Sequence, residues 1–399
     1  MTGPSRQCVI LAGGLGARLG NLTKDVPKPL LDVDGRPFLF HLMRNARRFG
    51  FTDFVLLAGY RGERVSAFAA AARQELGADI SVIVEPEAAG TAGALLHASE
   101  ELKDEFLMLN GDSLFSFNFL DLAARPVEGE WLARLALRRV ADASRYGSVE
   151  VAGDRVRAYR EKSAGSQEGL INGGVYWMRR GVLDFIKRTP CSLECEVFPD
   201  IATRGALRAF EYDGPFIDIG VPDDLDSARE RWSDITRAPA TFFDRDGVLN
   251  HDAGYTHRIE DFRWIEGARE SIKRCNDEGR FVFVVTNQAG VARGYYDEQA
   301  IQRLHAWMNE DLRLLGAHID DFRYCPHHPE GVVPAYTTQC GCRKPKPGMI
   351  NSLLQEWPVD LASSVFVGDK ESDLEAAAAA GLKGLLFHGQ HFPPARPSR

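Results

Sequence analysis

The first half of the chain opens with a short apolar run that enters a glycine-rich turn, Cys8-Val9-Ile10-Leu11-Ala12-Gly13-Gly14-Leu15-Gly16-Ala17-Arg18-Leu19. Glycine has no side chain, so the backbone N–H groups of such a turn can approach phosphate oxygens closely. Arg18 offers a planar guanidinium for outer phosphates, and Lys28 offers a point charge for the inner one. Many glycine loops are simple turns, so the rest of the chain decides whether this one binds a nucleotide.

Short apolar runs alternate with helix-like stretches over roughly the first 235 residues. The apolar runs predict strands at 9–12, 54–58, 80–84 and 106–109. This alternation predicts a mainly parallel sheet that is covered on both faces. The pattern lapses at 233–241, and the same alternation restarts with a strand that runs into Asp244. We therefore predict two doubly wound α/β domains, a Rossmann-like domain at 1–235 and a second domain at 240–399.

The composition limits the classes of protein to which the chain can belong. It is 44% hydrophobic and 26% charged, as is typical of soluble globular proteins. The net charge of −8 and the absence of a basic run argue against a nucleic-acid partner. No apolar stretch approaches the ~20 residues of a membrane span, so we expect no membrane association. Seven cysteines, an odd number, indicate reduced thiols and a cytoplasmic location.

Further motifs follow the glycine loop, among them Pro27-Lys28-Pro29-Leu30, Gly90-Thr91-Ala92-Gly93, Asn110-Gly111-Asp112, Glu161-Lys162, Asn172-Gly173-Gly174 and Phe216-Ile217-Asp218. With the loop, they resemble the sugar-1-phosphate nucleotidyltransferases across residues 6–235. The resemblance implies that a sugar-1-phosphate oxygen attacks the α-phosphorus of a nucleoside triphosphate and expels pyrophosphate. No covalent enzyme intermediate forms, so catalysis rests on positioning and charge neutralisation.

The same resemblance implies roles for individual residues. Arg18 and Lys28 act on the phosphates, and Asp112 and Asp218 hold Mg²⁺. Lys162 grips the sugar phosphate. The remaining substrate-binding positions are Gly13, Gly14, Gly16, Gly90, Thr91, Glu161, Asn172 and Gly173.

Glu85 is the candidate for selecting the nucleotide base. Relatives that use pyrimidine triphosphates often carry a glutamine at this position. A carboxylate only accepts hydrogen bonds, so it can take the N1–H and N2–H₂ groups of guanine together, whereas adenine lacks this pair of donors. We therefore expect GTP as the nucleotide. The alternative is that Glu85 is a solvated loop residue before Pro86.

The second domain begins with an apolar strand that enters Asp244-Arg245-Asp246-Gly247-Val248-Leu249-Asn250. This run resembles the nucleophile motif of the haloacid dehalogenase superfamily. Asp244 would attack phosphorus, and Asp246, on the same side of the extended chain, would protonate the leaving oxygen. The companion motifs follow in order as Thr286-Asn287-Gln288, Arg343-Lys344 and Gly368-Asp369 with Asp373. We expect Asp244, Asp246 and Asp369 to hold Mg²⁺, because three crowded carboxylates need a cation.

The spacing of these motifs restricts the shape of the second domain. The segment between Asn250 and Thr286 is too short for a lid domain, which predicts a capless enzyme. Between Thr286 and Lys344 lies one irregular insertion that contains three cysteines and two histidines. Its Cys325, His327, Cys340 and Cys342 would form a closed, tetrahedral and therefore structural zinc site. His328 is the alternative fourth ligand.

Residues 241–390 closely resemble the D-glycero-D-manno-heptose 1,7-bisphosphate 7-phosphatases in the zinc loop and in all the motifs above. The resemblance implies that Lys344 stabilises the transferring phosphate and that Arg343 reads the remote one. Thr286, Asn287, Gln288 and Ala289 would hold the transferring phosphate. The other substrate contacts would be Asp252, Ala253, Gly254, Tyr255 and Lys370. Histidinol-phosphate phosphatase shares the zinc loop and most motifs, and it is the alternative for this half.

Together the two resemblances imply a bifunctional enzyme of nucleotide-activated heptose synthesis. The second domain would remove the 7-phosphate of heptose 1,7-bisphosphate. The first would couple the heptose 1-phosphate to GTP, giving GDP-heptose and pyrophosphate. One alternative replaces heptose with a hexose. The other makes the first domain a nucleotide-sugar sensor that performs no chemistry.

Overall fold

The structure, a computed structural model, describes residues 4–14, 16–144, 148–160, 168–389 and 392. The chain divides into two compact units, one that ends at Ile235 and one that begins at Thr236. The polar lapse in the sequence near the boundary is not a long linker. A helix extends to Thr236 and the next strand starts at Ala238.

The first domain is an α/β unit. Its strands are β1 (Gln7–Leu11), β2 (Asp32–Val33), β3 (Arg36–Pro37), β4 (Asp53–Ala58), β5 (Asp79–Val84), β6 (Glu105–Asn110), β7 (Ser113–Phe115), β8 (Ala133–Val140), β9 (Ser148–Ala152), β10 (Arg155–Arg160), β11 (Gly169–Arg179), β12 (Leu207–Glu211) and β13 (Phe216–Asp218). Its α-helices are α1 (Phe38–Arg48), α2 (Gly62–Leu76), α3 (Gly90–His97), α4 (Phe119–Ala124), α5 (Phe198–Thr203) and α6 (Pro222–Thr236).

The main sheet of this domain has the strand order β5-β4-β1-β6-β11-β8-β12-β10-β9. Strands β5, β4, β1 and β6 are parallel, as predicted, because helices connect them. The prediction of a mainly parallel sheet is wrong beyond β6, where β11 runs antiparallel to both β6 and β8. No helix lies between β8 and β11 among the residues that the structure describes there, and antiparallel pairing needs no crossover connection. The sheet is therefore mixed.

Hydrophobic clusters cover both faces of the sheet, as the sequence pattern predicts. Alternate residues of β1 point to opposite faces, so Ile10 joins the cluster that contains Leu39 of α1 and Val9 joins the one that contains Leu95 of α3. All of these side chains are buried. A strand with both faces buried reads as a continuous apolar run, which is how β1 appears in the sequence.

The second domain is a doubly wound parallel sheet, and the prediction of its fold is confirmed. The strand order is β16-β15-β14-β17-β18, with every neighbouring pair parallel. The strands are β14 (Ala238–Phe243), β15 (Phe281–Asn287), β16 (Asp321–Cys325), β17 (Val359–Gly368) and β18 (Lys383–Leu386). The helices are α7 (Ala268–Asp277), α8 (Glu298–Arg313), α9 (Gly348–Glu356) and α10 (Glu371–Ala379).

Helices of the described part of the chain are all too short or too polar to cross a membrane.

Candidate active sites

The first domain contains a cavity of about 550 Å³ at the carboxyl ends of β1 and β6. The parallel pairing of β1 with β6 sets Leu11 beside Asn110, so the glycine loop and the Asn110-Gly111-Asp112 motif meet at one edge of the sheet. Seven of the predicted site residues line this cavity, namely Gly13, Gly14, Lys28, Glu85, Gly90, Thr91 and Asp112. Motifs up to 99 residues apart thus share one site.

The glycines of the loop serve different purposes. A Cβ on Gly14 would meet no atom within 4 Å, so this backbone faces the open cavity, as a phosphate-binding loop requires. A Cβ on Gly13 would lie 2.9 Å from the backbone nitrogen of Gly59, so Gly13 is needed for close packing of the loop against the next strand. Gly16 packs against Thr23 in the same way. Gly14 therefore leaves space for a phosphate, whereas Gly13 and Gly16 allow the loop to pack closely.

A short pair of strands brings the segment of Asp218 next to that of Asp112. Antiparallel pairing of β7 with β13 sets Asp218 opposite Ser113, and the Ile219 N–H donates to the Asp112 carbonyl at 2.9 Å. Lys28 Nζ lies 2.7 Å from Asp112 Oδ2. Burial, and then the charge of Asp112, raises the pKa of Asp218, while Lys28 opposes the rise. Two carboxylates that repel each other fit a divalent cation, and Asp112 and Asp218 would hold it.

Arg18 lies on the Asp218 side of this pair. A Cβ on Gly220 would lie 3.4 Å from Arg18 Nη2 and 2.7 Å from Asp218 Oδ1. Gly220 therefore keeps the space beside both charged groups open. The predicted cations Arg18 and Lys28 thus flank the predicted metal carboxylates.

Glu85 is held in the cavity wall by one of its oxygens. Oε2 accepts the Ala89 N–H at 3.0 Å, and Oε1 lies 3.1 Å from the place that a Cβ on Gly13 would occupy. The carboxylate is therefore oriented beside the glycine loop rather than free in solvent. This placement is compatible with base recognition and argues against the alternative of a freely solvated loop residue.

Glu194 is a residue of this site that the sequence did not reveal. Its Oε2 accepts from the Thr91 hydroxyl at 3.0 Å, and its Oε1 accepts from the Tyr176 hydroxyl at 3.3 Å. Tyr176 in turn accepts from Asn172 Nδ2 at 2.8 Å. Glu194 therefore connects two of the predicted substrate-binding residues, Thr91 and Asn172. It follows a loop and belongs to no spacing pattern, so only the tertiary fold shows its role.

Some of the predicted substrate-binding residues of the first domain are not placed at the cavity wall. Gly173 packs against the ring of Phe115, where a side chain would overlap it. Asn172 Oδ1 accepts the Gly174 N–H at 3.0 Å, so its side chain is fixed by local bonds at both ends. Two of the predicted residues lie outside the described residues, Glu161 and Lys162.

The second site lies at the carboxyl ends of β14, β15 and β17. Lys344 Nζ lies 2.7 Å from Asp244 Oδ1, 2.7 Å from Asp373 Oδ1 and 2.8 Å from the Val285 carbonyl. Burial raises the pKa of Asp244 to about 6, with Lys344 lowering it and Asp373 raising it. The predicted nucleophile and the predicted phosphate-stabilising lysine are thus in direct contact.

The carboxylates that could hold a metal ion are Asp244, Asp369 and Asp373, whose ligand atoms all lie within 4.8 Å of one another. Asp369 Oδ1 is buried and has no hydrogen-bond partner among the described residues, which fits a site for a divalent cation. Gly247, at φ +95°, lies against Asp369, and a side chain there would overlap its carboxylate. The donor set therefore fits Mg²⁺.

This set differs from the predicted one in one member. The carboxylate of Asp246, which we predicted as a metal ligand, is not in it, and Asp373 is. Asp246 instead accepts hydrogen bonds from Arg245, Asn250 and Gln288. Asp373 lies in the first turn of α10, where it also accepts the Lys370 N–H at 3.1 Å. A strand-end motif shows which carboxylates are close together, but the direction of each side chain depends on its tertiary partners.

The residues predicted to hold the transferring phosphate lie at the carboxyl end of β15 and in the turn after it. Thr286 is buried, and its hydroxyl accepts from Gln288 Nε2 at 2.9 Å. Asn287 makes a reciprocal pair with the backbone of Lys344, donating from Nδ2 to its carbonyl and accepting from its N–H, both at 3.1 Å. Asn287 therefore positions Lys344. Ala289 is the next residue of the same turn.

The predicted substrate loop is exposed at residues 252–255, which are Asp252, Ala253, Gly254 and Tyr255. Asp252 Oδ1 accepts the Gly254 N–H at 3.0 Å, which closes the loop locally. Lys370 Nζ lies 3.6 Å from Asp252 Oδ2 and 3.9 Å from Asp369 Oδ2. Burial lowers the pKa of Lys370, but four carboxylates, with Asp369 foremost, raise it overall. Lys370 thus lies between the loop and the metal carboxylates.

The four predicted zinc ligands, Cys325, His327, Cys340 and Cys342, form a compact cluster. The sulfur atoms lie 3.2 to 3.4 Å apart, and His327 Nδ1 lies 3.5 Å from Cys342 Sγ and 3.7 Å from Cys325 Sγ. A tetrahedron around Zn²⁺ at normal bond lengths has sulfur-to-nitrogen edges of about 3.5 Å and sulfur-to-sulfur edges of about 3.8 Å, so the sulfur atoms would move apart by about 0.5 Å to hold the ion. His328 Nδ1 instead accepts the Glu330 N–H at 3.1 Å, and Arg343 Nη1 donates to the His327 carbonyl at 3.4 Å.

Known proteins resemble each part of the chain. Residues 7–235 match the family model of nucleotidyl transferases, and residues 341–395 match that of HAD-hydrolase-like proteins. The chain is 49% identical over 154 residues to a D-glycero-β-D-manno-heptose-1,7-bisphosphate 7-phosphatase of Rhodopseudomonas palustris, covering 39% of this chain and 86% of that protein. A D-glycero-α-D-manno-heptose-1,7-bisphosphate 7-phosphatase of Photorhabdus laumondii is 41% identical over 157 residues, with coverages of 39% and 86%.

A solved structure resembles the larger part of the chain. It is HddC from Yersinia pseudotuberculosis complexed with GMP-PN, at a TM-score of 0.51 and 28% identity over 57% of this chain and 99% of that one. The chain belongs to the nucleotidyl transferase family and, through its second domain, to the heptose-1,7-bisphosphate 7-phosphatases. It is a bifunctional enzyme that joins a nucleotidyltransferase to a phosphatase.

Proposed function

We propose that the second domain removes the 7-phosphate of D-glycero-D-manno-heptose 1,7-bisphosphate and that the first couples the heptose 1-phosphate to GTP. The observation that carries this proposal is that one chain contains both domains. The second domain is 49% identical to a phosphatase named for that bisphosphate, and the first matches the nucleotidyl transferase family. Such a phosphatase leaves a sugar 1-phosphate, the substrate class of the other domain. The resemblance to HddC in complex with a guanine nucleotide supports GTP as the second substrate.

In the phosphatase site, Asp244 is the nucleophile. Its carboxylate oxygen bonds to phosphorus as the bond from phosphorus to the sugar oxygen breaks, and Asp246 gives that oxygen a proton. Water then attacks the phosphorus, loses a proton to Asp246 and releases Asp244 and inorganic phosphate. Lys344, at 2.7 Å from Asp244, balances negative charge throughout. Mg²⁺ bound by Asp244, Asp369 and Asp373 would neutralise the phosphoryl oxygens.

In the transferase site, the sugar phosphate oxygen bonds to the α-phosphorus as the bond to pyrophosphate breaks. The backbone at Gly14 faces the open cavity, where triphosphate oxygens would lie. Arg18 and Lys28 would neutralise the charge that accumulates on the departing phosphates. Mg²⁺ on Asp112 and Asp218 would supply further charge neutralisation. Glu85 would accept the donors of the guanine edge.

The Cys/His cluster would hold a structural Zn²⁺. With four protein ligands the coordination sphere is closed, so this ion performs no chemistry. Its place is supported by Arg343, which donates to the carbonyl of the ligand His327. The cluster therefore fixes the segment that carries Arg343 and Lys344. The thiols also support our expectation of a cytoplasmic location.

The test is mass spectrometry of the products after the protein is incubated with Mg²⁺, all four ribonucleoside triphosphates and each anomer of heptose 1,7-bisphosphate in turn. GDP-heptose from one anomer would support both activities, and it would choose between the anomers named among the relatives. Asp244→Asn should block phosphate release but not coupling of heptose 1-phosphate, and Asp218→Asn should do the reverse. A nucleotide sugar only from hexose 1-phosphates would refute the heptose assignment, and none from any sugar would support the sensor.

A further inference from the structure

Arg245, which stands between the two catalytic aspartates in the sequence, has a fully buried side chain at 0% exposure. Its guanidinium contacts both oxygens of Asp246. Nε and Nη2 donate to Oδ1 at 3.2 and 3.0 Å, and Nη2 also lies 2.9 Å from Oδ2. A buried arginine fixed on one carboxylate strongly restricts the orientation of that carboxylate.

The same guanidinium reaches the end of the substrate loop. Nη2 donates to the carbonyl of Thr256 at 2.6 Å, directly after Tyr255. On its other side, Nη1 lies 3.3 Å from Nε2 of the buried His305, whose ring stacks on Phe322. The guanidinium therefore has partners on every nitrogen. One rigid group links the acid–base carboxylate to the loop that faces the substrate.

The remaining hydrogen bonds of the Asp246 carboxylate come from the side chains of Asn250 and Gln288. Asn250 Nδ2 donates to Oδ1 at 3.1 Å, and Gln288 Nε2 donates to Oδ2 at 2.8 Å. Gln288 is itself held by the Tyr296 hydroxyl at 2.8 Å. The Asp246 side chain nevertheless stays 16% exposed, so one edge of it is open to a leaving group.

We propose that Arg245 is a positioning residue that holds Asp246 for proton transfer to the leaving oxygen and couples this position to the substrate loop through Thr256. The inference rests on the proposed phosphatase chemistry of the second domain. Arginine is suited to the task because its planar fork can serve a carboxylate and a carbonyl at once. A lysine has a single nitrogen on a flexible stem and cannot maintain both contacts with the same geometry.

The test compares two kinds of leaving group. An alkyl phosphate such as the heptose bisphosphate needs a proton on its leaving oxygen, whereas p-nitrophenyl phosphate departs as a stable anion and needs little acid catalysis. We expect Arg245→Lys to lower kcat/KM on alkyl phosphates by about 10²-fold and on p-nitrophenyl phosphate by less than about tenfold. Asp246→Asn should show the same dependence on leaving group, with a larger loss.

Arg280→Lys is the matched control. Arg280 donates to Thr241 Oγ1 and to the carbonyls of Ala240 and Ser363, so its replacement removes comparable hydrogen bonds at the far end of β14. It should affect both substrates equally. Tyr296→Phe, which removes the hydroxyl that holds Gln288, provides a second test if the Arg245 variant does not fold. We expect it to show the same dependence on leaving group at a smaller size.

Equal losses on both substrates in Arg245→Lys would overturn the inference, as would unchanged rates. Where Arg245→Lys does not fold, a Tyr296→Phe variant without leaving-group dependence would overturn it. Failure of the wild-type protein on heptose bisphosphate would refute only the proposed substrate. The comparison can then use any alkyl phosphate that the wild-type protein hydrolyses, so the two failures are distinguishable.

Discussion

Replacement of Lys344 by methionine should destabilise the second domain as well as inactivate it. The lysine lies 2.7 Å from both Asp244 and Asp373, and its side chain is only 3% exposed. The two carboxylates are 7% and 1% exposed, so the change leaves two like charges buried without their cation. Breaking a buried ion pair by removing one partner costs about 3–5 kcal/mol.

The loss can be followed by peptide-level hydrogen exchange of β14 and β15 in increasing urea, with a chelator present so that no divalent cation replaces the lysine. The matched control is Lys273→Met, which breaks a pair with Asp277 at 2.7 Å on the surface of α7. The side chains of Lys273 and Asp277 are 28% and 41% exposed. Loss of this ion pair should lower the free energy of unfolding by less than about 0.5 kcal/mol.

Two further experiments identify the cause of the lost stability. Addition of Asp373→Asn to Lys344→Met should recover part of the stability, because it removes one of the two uncompensated charges. Excess Mg²⁺ should also stabilise the single variant, since a cation can replace the lost ammonium. If Lys344→Met in chelator is as stable as the wild-type protein, the buried carboxylates do not carry the charges on which this reasoning depends.

Three other changes test separate parts of the two sites. Glu85→Gln should reduce the preference for GTP over UTP and ATP in pyrophosphate release by about tenfold, because one charge-assisted hydrogen bond is lost. Glu87→Gln in the same cavity should leave the preference unchanged. An unchanged preference in Glu85→Gln would exclude Glu85 as the base selector. Glu194→Gln should raise the KM for the sugar 1-phosphate by about tenfold with little change in the KM for nucleotide, because Thr91 loses a charged acceptor. Equal effects on both KM values would argue against a role of Glu194 in sugar binding. Cys340→Ser should abolish the zinc content measured by atomic emission and unfold the loop around Lys344, while pyrophosphate release persists. Retention of zinc would contradict the proposed set of four ligands.

The sequence predicts the positions of the functional motifs well, because strand ends determine them. Parallel strands bring their carboxyl ends to one edge, so Asp112 and the glycine loop had to meet once β1 and β6 were recognised. The same holds for Asp244 and Asp369 at the ends of β14 and β17. The α/β class of both domains follows from the alternation of apolar runs.

The sequence is less informative where side-chain direction or strand pairing decides the outcome. It did not show that the sheet turns antiparallel at β11, because periodicity does not specify the partner of a strand. It suggests Asp246 as a metal ligand because of its position in the motif, but it does not show the hydrogen bonds from Arg245 and Gln288 that orient this carboxylate. Glu194 carried no signal at all, since its role comes from contacts with residues about 20 and 100 positions away.

The two proposed reactions are linked by their chemistry, because the product of the second domain is the substrate class of the first. In the proposed function, the phosphatase would remove the phosphate at one end of the sugar and leave the anomeric phosphate, which the transferase would then use. Arg343 donates to the His327 carbonyl and precedes Lys344 in the chain, and we predict that it binds the phosphate that must remain. If Arg343 performs this role, the phosphatase avoids hydrolysing the 1-phosphate by binding it. The specificity of the second domain would then protect the substrate of the first.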